Sequence, residues 1–423
     1  MRRVLISGAG IAGPSLAWFL ARTGARVTII EKCQSLRAQG QNVDINGSAL
    51  TVIKKMGLMP QVERWHTTEK GTQFIDPKGR PFAPLPVKKD GSASPTSEFE
   101  ILRGDLAQVL YEATKDHPNI EYVFGKTISK ILENSDDRPV NVELSDGSIQ
   151  ETDLLVAADG QWSNVRKQCF PKTDITVIDK GMYVAYWTVP RLPTDNDWWN
   201  VYHALGSRIV TTRPDPHGTT RAMLSKMPCN AAQKEAWQNA SRGDVEMQKK
   251  LLREEFADVG WEASRFLDEM DRAPDFYFQA IQQIKMKSWS SGRVVCIGDA
   301  AFAPTPLTGM GTSLAIVGSY VLAGEISKLD DNNLSPSTAL KAYEKAFRPF
   351  VEETQEISSL VPGIAHPATP LKRWFLQNVL LTTFAKVAAT PWIVKRLDHN
   401  NNEEDFPLPV YRKFGDASVA AAA

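Results

Sequence analysis

The sequence predicts an α/β fold in which a parallel-sheet domain is split by an inserted, mainly antiparallel β-sheet domain and followed by a helical segment. The chain opens with "RRVLISGAGIAG", an apolar run that leads into a glycine-rich turn. "GRVVCIGDAA", residues 292–301, returns to the same buried-strand pattern. The region of about 178–283 differs, because strand-like runs there precede the charged helical stretch "MQKKLLREEFADV". One parallel-sheet domain therefore encloses an insertion.

The first unit has the spacing of a dinucleotide-binding turn. Residues 4–7 form a predicted buried strand, a helix follows up to Gly24, and the next strand ends at Glu31. In this G-x-G-x-x-G pattern the glycines permit the tight turn, the approach of a pyrophosphate and close helix packing, and the terminal acid binds ribose hydroxyls. Glu31 also disfavours the 2′-phosphate of NADP at this site. The residues expected to hold the dinucleotide are Gly8, Gly10, Ile11, Ala12, Gly13, Glu31 and Lys32. A packing turn in a nucleotide-free domain is the alternative.

Composition narrows the function classes. The 423 residues include 49 Lys plus Arg and 49 Asp plus Glu, so we expect no nucleic-acid partner. The four cysteines lack metal-ligand spacing, which favours a cytoplasmic, reducing location and no metal site. No apolar run reaches the roughly 18 residues of a membrane span, and we expect no membrane partner. The chain passes directly from Arg3 into a strand, so we expect no leader peptide.

The pattern along the chain divides it into four parts. Residues 1–72, 97–177 and 284–360 are predicted to form the discontinuous nucleotide-binding domain. Residues 73–96 and 178–283 are predicted to form the substrate-binding sheet domain. A helical bridge over 361–412 and a disordered tail over 413–423 follow. Asp146 and Gly147, between two alternating runs, predict a hairpin.

Two further motifs indicate the kind of chemistry that the protein performs. "LLVAADGQWSNVR", residues 154–166, is a strand that ends at Asp159 and Gly160. "GRVVCIGDAAFAPTPLTGMGTSLAIVGSYVLAGEI", residues 292–326, is a strand that ends at Gly298 and Asp299, followed by a proline-rich loop and a long helix. With these motifs the chain resembles the single-component, group A flavoprotein monooxygenases of the para-hydroxybenzoate hydroxylase fold. That group includes aromatic hydroxylases and tetracycline-inactivating oxygenases, and the resemblance spans roughly residues 1–360.

The resemblance implies a Rossmann-like FAD-binding domain with one tightly but noncovalently bound FAD. Asp299 would contact the ribityl hydroxyls, Arg103 the phosphates, and the Asp159 turn both FAD and a transient NADPH or NADH. The residues so implied are Arg37, Gln41, Asp44, Arg103, Asp159, Gly160, Arg166, Gly298, Asp299, Pro306, Gly309, Gly311 and Thr312. The loop with Pro304, Pro306 and Gly309 would border the flavin face where oxygen reacts, with no further catalytic residue assigned. Each assignment has a purely structural alternative. Asp299 could be an ordinary helix cap, Arg103 a solvated arginine on a helix face, and the Asp159 turn a turn held by a salt bridge. The proline-rich loop could be a rigid loop that only ends the strand.

Two positions depart from the family pattern. Histidine commonly follows "GDAA" and asparagine commonly follows the Gly-x-Gly-x turn, but this chain has Phe302 and Ser313 there. These departures weaken any expectation of a particular hydrogen bond near the flavin.

The resemblance implies that NADPH or NADH reduces FAD, which reacts with O₂ to a C4a-hydroperoxide that transfers one oxygen atom to the substrate. Epoxidation, Baeyer–Villiger insertion and flavin-dependent dehydrogenation on the same fold remain alternatives, as does a non-redox carrier. An apolar or aromatic small-molecule substrate is expected from six aromatic residues, of which half could be core. They are Tyr183, Tyr186, Trp187, Trp198, Trp199 and Tyr202. We expect a monomer or a weak dimer.

The segment 371–397 allows two interpretations. Apolar residues recur at near-helical spacing with basic residues at both ends, and they are Trp374, Phe375, Val379, Leu380 and Phe384. Such a helix could lie at a membrane surface. We favour a bridge that buries this apolar face between the two domains, because Pro391 and the polar "DHNNNEEDF" would end an anchor abruptly.

Overall fold

The structure is a computed structural model that describes residues 3–36, 41–87, 97–329, 335–356, 361–388 and 405–414. It confirms the α/β fold, with one mainly parallel sheet and one mainly antiparallel sheet. The strands are β1 Arg3–Ser7, β2 Arg26–Glu31, β3 Asn42–Asp44, β4 Gly71–Ile75, β5 Pro81–Pro86, β6 Glu100–Leu102, β7 Ile120–Phe124, β8 Ile128–Glu133, β9 Val140–Leu144, β10 Ile149–Thr152, β11 Leu154–Ala157, β12 Ile175–Pro190, β13 Trp199–Ala204, β14 Arg208–Pro214, β15 Thr219–Lys226, β16 Tyr277–Met286, β17 Ser290–Ser291 and β18 Val294–Cys296.

The helices surround these sheets. They are α1 Ala12–Arg22, α2 Ser48–Met56, α3 Met59–Trp65, α4 Arg103–Glu112, α5 Asn164–Cys169, α6 Ala231–Arg242, α7 Val245–Phe256, α8 Ala263–Glu269, α9 Asp299–Phe302, α10 Gly311–Ser327, α11 Pro336–Thr354, α12 Val361–Ala365, α13 Pro370–Phe375 and α14 Thr382–Ala388. A π-helical turn, Leu376–Leu381, joins α13 to α14, and short 3₁₀ turns span Lys172–Asp174, Pro306–Thr308 and Arg412–Phe414.

The parallel sheet brings the three sequence motifs to one edge. Its strand order is β17-β18-β11-β1-β2-β7, and all pairs except β17-β18 are parallel. Because β18, β11 and β1 are neighbours, the turns that follow them lie side by side at the carboxyl edge. This is the edge at which open parallel sheets bind ligands. The predicted hairpin at Gly147 joins β9 to β10 in a separate three-stranded sheet.

The second sheet has seven strands in the order β16-β12-β15-β14-β13-β4-β5. Its pairs are antiparallel except for β13 and β4, which run parallel. One face packs on α6, α7 and α8 through a core that includes Trp237, Phe256 and Phe266. Because side chains alternate along a strand, the other face of the same strands is free to line a cavity.

The C-terminal helical segment lies on the seven-stranded sheet. Thr369 caps its first turn by accepting the Lys372 N–H at 3.3 Å. Leu381 and Ala385 pack against the sheet cluster that contains Phe74 and Ile209. The bridge hypothesis placed the wrong side chains inward, because Trp374, Phe375, Val379, Leu380 and Phe384 are all exposed. Pro391 lies outside the described residues.

Residues 405–414 end in the 3₁₀ turn Arg412–Phe414 and pack on the parallel-sheet domain. The Tyr411 ring lies so close to Gly324 that a Cβ there would overlap it. The Phe414 ring packs 5.0 Å from the Phe19 ring, between ring centroids. The predicted tail boundary at 413 is therefore wrong, since Phe414 is buried. Residues 415–423 lie outside the described part of the chain.

Two expected absences can be examined only where the structure describes the chain. Within the described ranges, no helix combines the length and apolar character needed to cross a bilayer. The same residues contain no cluster of His, Cys, Asp or Glu that could hold a metal ion. All four cysteines are described, and each is a free thiol.

Candidate active site

A cavity of about 1530 Å³ separates the carboxyl edge of the parallel sheet from the free face of the seven-stranded sheet. Pockets for drug-sized ligands measure about 300–1000 Å³. The cavity therefore has room for a dinucleotide and for a second molecule.

The glycine-rich turn is shaped by backbone contacts. Gly8 has a φ of +112°, and a Cβ there would overlap the backbone carbonyl of Ala158. A Cβ at Gly13 would overlap the Gly8 carbonyl, which explains why helix α1 can pack so closely on β1. A Cβ at Gly10 would meet only the Arg103 guanidinium, at 3.4 Å. The turn thus leaves a backbone cradle at the start of α1, with Arg103 beside it, as phosphate binding requires.

Glu31 closes the second strand at the cavity wall. Its Oε2 accepts the Ala9 N–H at 3.0 Å, and its Oε1 accepts the Cys33 N–H at 3.0 Å. These bonds fix the carboxylate against the glycine-rich turn. Each oxygen keeps a further acceptor position, which suits the ribose hydroxyls of a dinucleotide.

The Asp159 turn has both a structural and a binding contribution. Asp159 Oδ2 accepts the Asn164 N–H at 2.9 Å, so this oxygen caps α5. Its Oδ1 is buried and has no hydrogen-bond partner. A buried acceptor without a partner costs about 1–3 kcal/mol, so a ligand hydroxyl or N–H at this point would be favoured. Gly160 lines the cavity next to it.

Arg166 does not line the cavity, which corrects its expected place as a direct cofactor contact. The buried guanidinium donates to the Ala300 carbonyl at 2.7 Å and to the Gln161 carbonyl at 2.5 Å. Arg166 therefore ties the turn after β11 to the turn after β18. Its effect on a ligand is indirect.

Asp299 begins α9 and opens towards the cavity. Among the described residues, no hydrogen bond reaches its carboxylate. Desolvation by the surrounding protein raises the pKa of Asp299, and the positive charges of Arg103 and Arg166 offset part of this rise. The side chain is exposed to the open cavity, so its carboxylate is available to accept hydrogen bonds from the hydroxyl groups of a bound ligand.

The proline-rich loop after α9 carries a strained residue that sequence reasoning missed. Thr305, between Pro304 and Pro306, has a φ of +90°, is buried, and has an unpartnered hydroxyl. Gln283 Nε2 donates to the Pro304 carbonyl at 3.3 Å, which holds the loop against β16. Strain of this kind costs about 1–3 kcal/mol and is concentrated at functional sites. The sequence carries no signal for this conformation, because a residue that precedes proline ordinarily has a negative φ.

Asp44 lies next to the Gly309 end of this loop and lines the cavity. A Cβ at Gly309 would lie 3.8 Å from Asp44 Oδ2, and Asp44 Oδ1 accepts the Ser97 N–H at 3.0 Å. Burial raises the pKa of Asp44, while the positive charge of Arg213 and the Ser97 hydrogen bond oppose the rise. The carboxyl group can therefore hold a proton more readily than an exposed aspartate.

The seven-stranded sheet supplies the opposite wall. Tyr186 and Trp199 line the cavity, whereas Tyr183, Trp187 and Tyr202 belong to the core under α6–α8. Trp198 is not among the lining residues. The wall mixes apolar and polar side chains, namely Thr72, Phe74, Met182, Val184, Tyr186, Trp199, Val201, His203, Ile209, Thr211, Arg213, Arg221, Met223, Ser225 and Gln279.

The two arginines of this wall are paired with carboxylates. Arg213 Nε donates to Glu69 at 2.8 Å, also pairs with Glu100, and stacks on the Trp199 ring at 4.3 Å. Arg221 forms an ion pair with Asp275. Sequence reasoning missed these residues, because their partners are distant in the chain.

Two buried histidines also line the cavity. Burial lowers the pKa of His203 to about 3, and the charges of His366 and Arg373 add to this effect. Burial likewise lowers the pKa of His366 to about 4. His366 Nε2 lies 2.9 Å from the Ser225 hydroxyl, while His203 Nδ1 has no partner. Both rings are neutral at physiological pH.

The lowered pKa values of His203 and His366 predict that the folded protein loses stability in acid. Between pH 6.5 and pH 3–4 these two histidines are protonated in the unfolded chain but remain neutral in the folded chain. The free energy of unfolding therefore falls as pH falls. At pH 5, about 1.5 pH units below the ordinary pKa, His203 accounts for a loss of about 2 kcal/mol. In urea titrations at pH 7 and pH 5, we expect His203→Gln to lose correspondingly less stability than the parent protein. His66→Gln, outside the cavity, is the control, and equal losses in all three proteins would contradict the expectation.

The two departures from the family pattern have structural consequences. Phe302 points into the core, where its ring packs 4.8 Å from Trp289 between centroids. It does not line the cavity. The Ser313 hydroxyl accepts the Asn46 N–H at 3.1 Å and thereby joins α10 to the segment after β3.

The structure thus collects most of the predicted site residues around one cavity. Gly13 and Arg166 are the described exceptions, and Arg37 lies outside the described residues. The residues that line it as predicted are Gly8, Gly10, Ile11, Ala12, Glu31, Lys32, Gln41, Asp44, Arg103, Asp159, Gly160, Gly298, Asp299, Pro304, Pro306, Gly309, Gly311 and Thr312.

Comparison with known proteins agrees with this geometry. Residues 1–358 match the protein family described as FAD binding domain. The chain belongs to this family of FAD-dependent monooxygenases. It is 33% identical over 431 aligned residues to the FAD-dependent monooxygenase asL4 of Sarocladium schorii, with 96% of this chain and 98% of that protein covered. It is 36% identical over 422 residues to the monooxygenase CTB7 of Cercospora beticola, with 97% of each covered.

A solved structure shows the same architecture. The crystal structure of the tetracycline destructase Tet(51) superimposes with a TM-score of 0.79 at 28% identity, covering 97% of this chain and 100% of that one. The predicted group A flavoprotein monooxygenase fold is therefore confirmed.

Proposed function

We propose that the protein binds one FAD tightly and noncovalently, and uses NADPH or NADH with O₂ to insert one oxygen atom into a small molecule. One observation carries this proposal: three motif turns for a dinucleotide border a cavity whose opposite wall is a separate sheet. Bound FAD would supply the electron transfer and the oxygen chemistry. The oxygen-transfer route expected from the sequence stays a prediction, as do a cytoplasmic location and a monomeric or weakly dimeric state.

The residues of this chain would divide the remaining tasks. The cradle at Gly8 and Gly10 would hold the phosphates, Glu31 the adenosine ribose, and Asp299 the ribityl chain. The Pro304–Gly309 loop would border the reacting face and exclude water. Asp44, with its raised pKa, can hold a proton at its carboxyl group beside this loop.

The wall chemistry narrows the substrate class. Apolar side chains such as Phe74, Val201 and Met223 suit a flat apolar or aromatic molecule. Thr211 and His203 offer hydrogen-bonding groups without partners, so we propose that the substrate also carries oxygen or nitrogen substituents. Since Arg213 and Arg221 are already paired with carboxylates, a neutral substrate fits better than an anion. The similarity to a tetracycline destructase supports a multi-ring molecule.

The proposal predicts a yellow protein that releases about one equivalent of FAD on denaturation, because one glycine fingerprint makes one dinucleotide site. Candidate neutral polycyclic aromatics should then accelerate NADPH or NADH oxidation, followed by absorbance. A product that gains one oxygen atom from ¹⁸O₂, detected by mass spectrometry, would establish the monooxygenase reaction. Release of FMN, or a protein that refuses FAD, would contradict the cofactor assignment. Oxidation of a substrate without ¹⁸O incorporation would favour a dehydrogenase.

A further inference from the structure

The helical segment 370–388 presents an apolar surface to solvent. Six large apolar side chains on it are between 36% and 75% exposed. They are Leu371, Trp374, Phe375, Val379, Leu380 and Phe384, and together they form what we call the outer apolar stripe. Exposed apolar residues that occur singly are ordinary, whereas a contiguous group marks an interaction site.

The stripe belongs to a helix whose other side is already anchored. Leu376 and Gln377 are buried, and Leu381 and Ala385 pack on the sheet that walls the cavity. The π-helical turn Leu376–Leu381 adds a residue to the turn that connects the two α-helical halves. The helix therefore cannot bury the stripe by rotating without losing its contacts with the sheet.

The charged residues of this segment have one sign. Lys372, Arg373 and Lys386 lie on this helix, and the sequence contains no Asp or Glu between Glu356 and Asp398. Across the whole chain the basic and acidic residues balance at 49 each, so this concentration of positive charge is local. An apolar stripe with basic flanks is the pattern of helices that lie in the headgroup region of anionic bilayers.

We propose that the outer apolar stripe docks the protein on the surface of an anionic lipid bilayer, with the helix lying in the interface and not spanning it. A second copy of the chain fits less well, because pairing two such helices would bring together segments that carry the same sign of charge. This revises the earlier preference for a bridge, since the side chains that a bridge would bury are exposed. Docking does not depend on the proposed activity.

Docking has a consequence that does rest on the proposed function. Ala365 and His366, just before the helix, line the cavity, and the helix packs on cavity-lining residues such as Val201 and Ile209. The bilayer would therefore lie close to the substrate wall. An apolar substrate could reach the enzyme from the lipid phase without crossing water.

The test is co-sedimentation of the full-length, FAD-loaded protein with vesicles of phosphatidylcholine alone or with about 30% phosphatidylserine. We expect binding to the anionic vesicles that weakens in 0.5 M salt, because salt screens the basic residues. Trp374→Ser with Phe375→Ser should weaken this binding at least tenfold, and Lys372→Glu with Arg373→Glu should reduce the preference for phosphatidylserine. The matched control is Leu132→Ser with Ile149→Ser, which removes two exposed apolar residues from the three-stranded sheet and should leave vesicle binding unchanged.

Each other outcome overturns the proposal. Absence of vesicle binding by the parent protein, or equal binding by the Trp374/Phe375 variant, would reject a lipid partner. A dimer that sediments as such and dissociates in the same variant, without vesicle binding, would assign the stripe to a second copy. Flavin content of each preparation reports folding, and vesicle binding is measured without substrate, so a failed oxygenation assay would leave this result interpretable.

Discussion

Gly8→Ala is expected to abolish FAD retention and to lower the free energy of unfolding by about 3 kcal/mol or more. The residue has a φ of +112°, which an alanine adopts only with strain. Its new Cβ would also overlap the Ala158 carbonyl and come within 3.0 Å of Asp159 Cα. Both neighbours are backbone atoms at the end of β11, so the clash cannot be relieved by rotating a side chain. The substitution would push apart two of the three turns that border the cofactor cavity.

Gly24→Ala is the control, because it introduces backbone strain without a steric overlap of the new Cβ. Gly24 also has a positive φ, of +85°, but nothing lies within 4 Å of the position that its Cβ would take. We expect this variant to lose only about 1–2 kcal/mol and to retain its flavin. Urea unfolding and the flavin-to-protein absorbance ratio measure the two effects. If Gly8→Ala retained FAD as well as Gly24→Ala does, the backbone cradle would not be the phosphate site.

The cofactor side of the site could be predicted because its motifs encode requirements of the backbone. Gly8 and Gly13 are needed where no Cβ fits, and strand adjacency places the turns of β1, β11 and β18 together. Arg166 could not be assigned in the same way. An arginine near a turn can reach a ligand or a backbone carbonyl, and here it donates to the Ala300 and Gln161 carbonyls.

The substrate side was less predictable for a physical reason. Strand β12 is covered by helices on one face and borders the cavity with the other, so both sets of alternating residues are apolar and the two faces look alike in sequence. Tyr183 and Trp187 therefore could not be told from Tyr186. The same ambiguity misled the bridge hypothesis. The apolar residues of 371–384 exceed what the sheet can cover, and Leu381 and Ala385 make its contacts instead of the large aromatics.

Asp299 is the position where a small change should separate cofactor affinity from folding. Its carboxylate opens to the cavity, and no hydrogen bond from the described residues reaches it. Asp159 is the useful contrast, because its Oδ2 caps α5 by accepting the Asn164 N–H at 2.9 Å. Removing the Asp159 carboxylate should therefore lower both stability and FAD affinity. Removing that of Asp299 should lower affinity alone.

Asp299→Ala is expected to weaken FAD binding by about 10- to 150-fold, which corresponds to about 1.5–3 kcal/mol for a lost hydrogen bond to a charged group. Asp299→Asn keeps one acceptor oxygen and should lose less. Titration of the apoprotein with FAD, followed by flavin fluorescence, gives the dissociation constants, and urea unfolding of the apoproteins gives the stabilities. Asp137→Ala, at an exposed surface position, should change neither quantity. Unchanged FAD affinity in Asp299→Ala would leave Asp299 with only the N-terminal position of α9, and the ribityl chain would need another partner in the cavity wall.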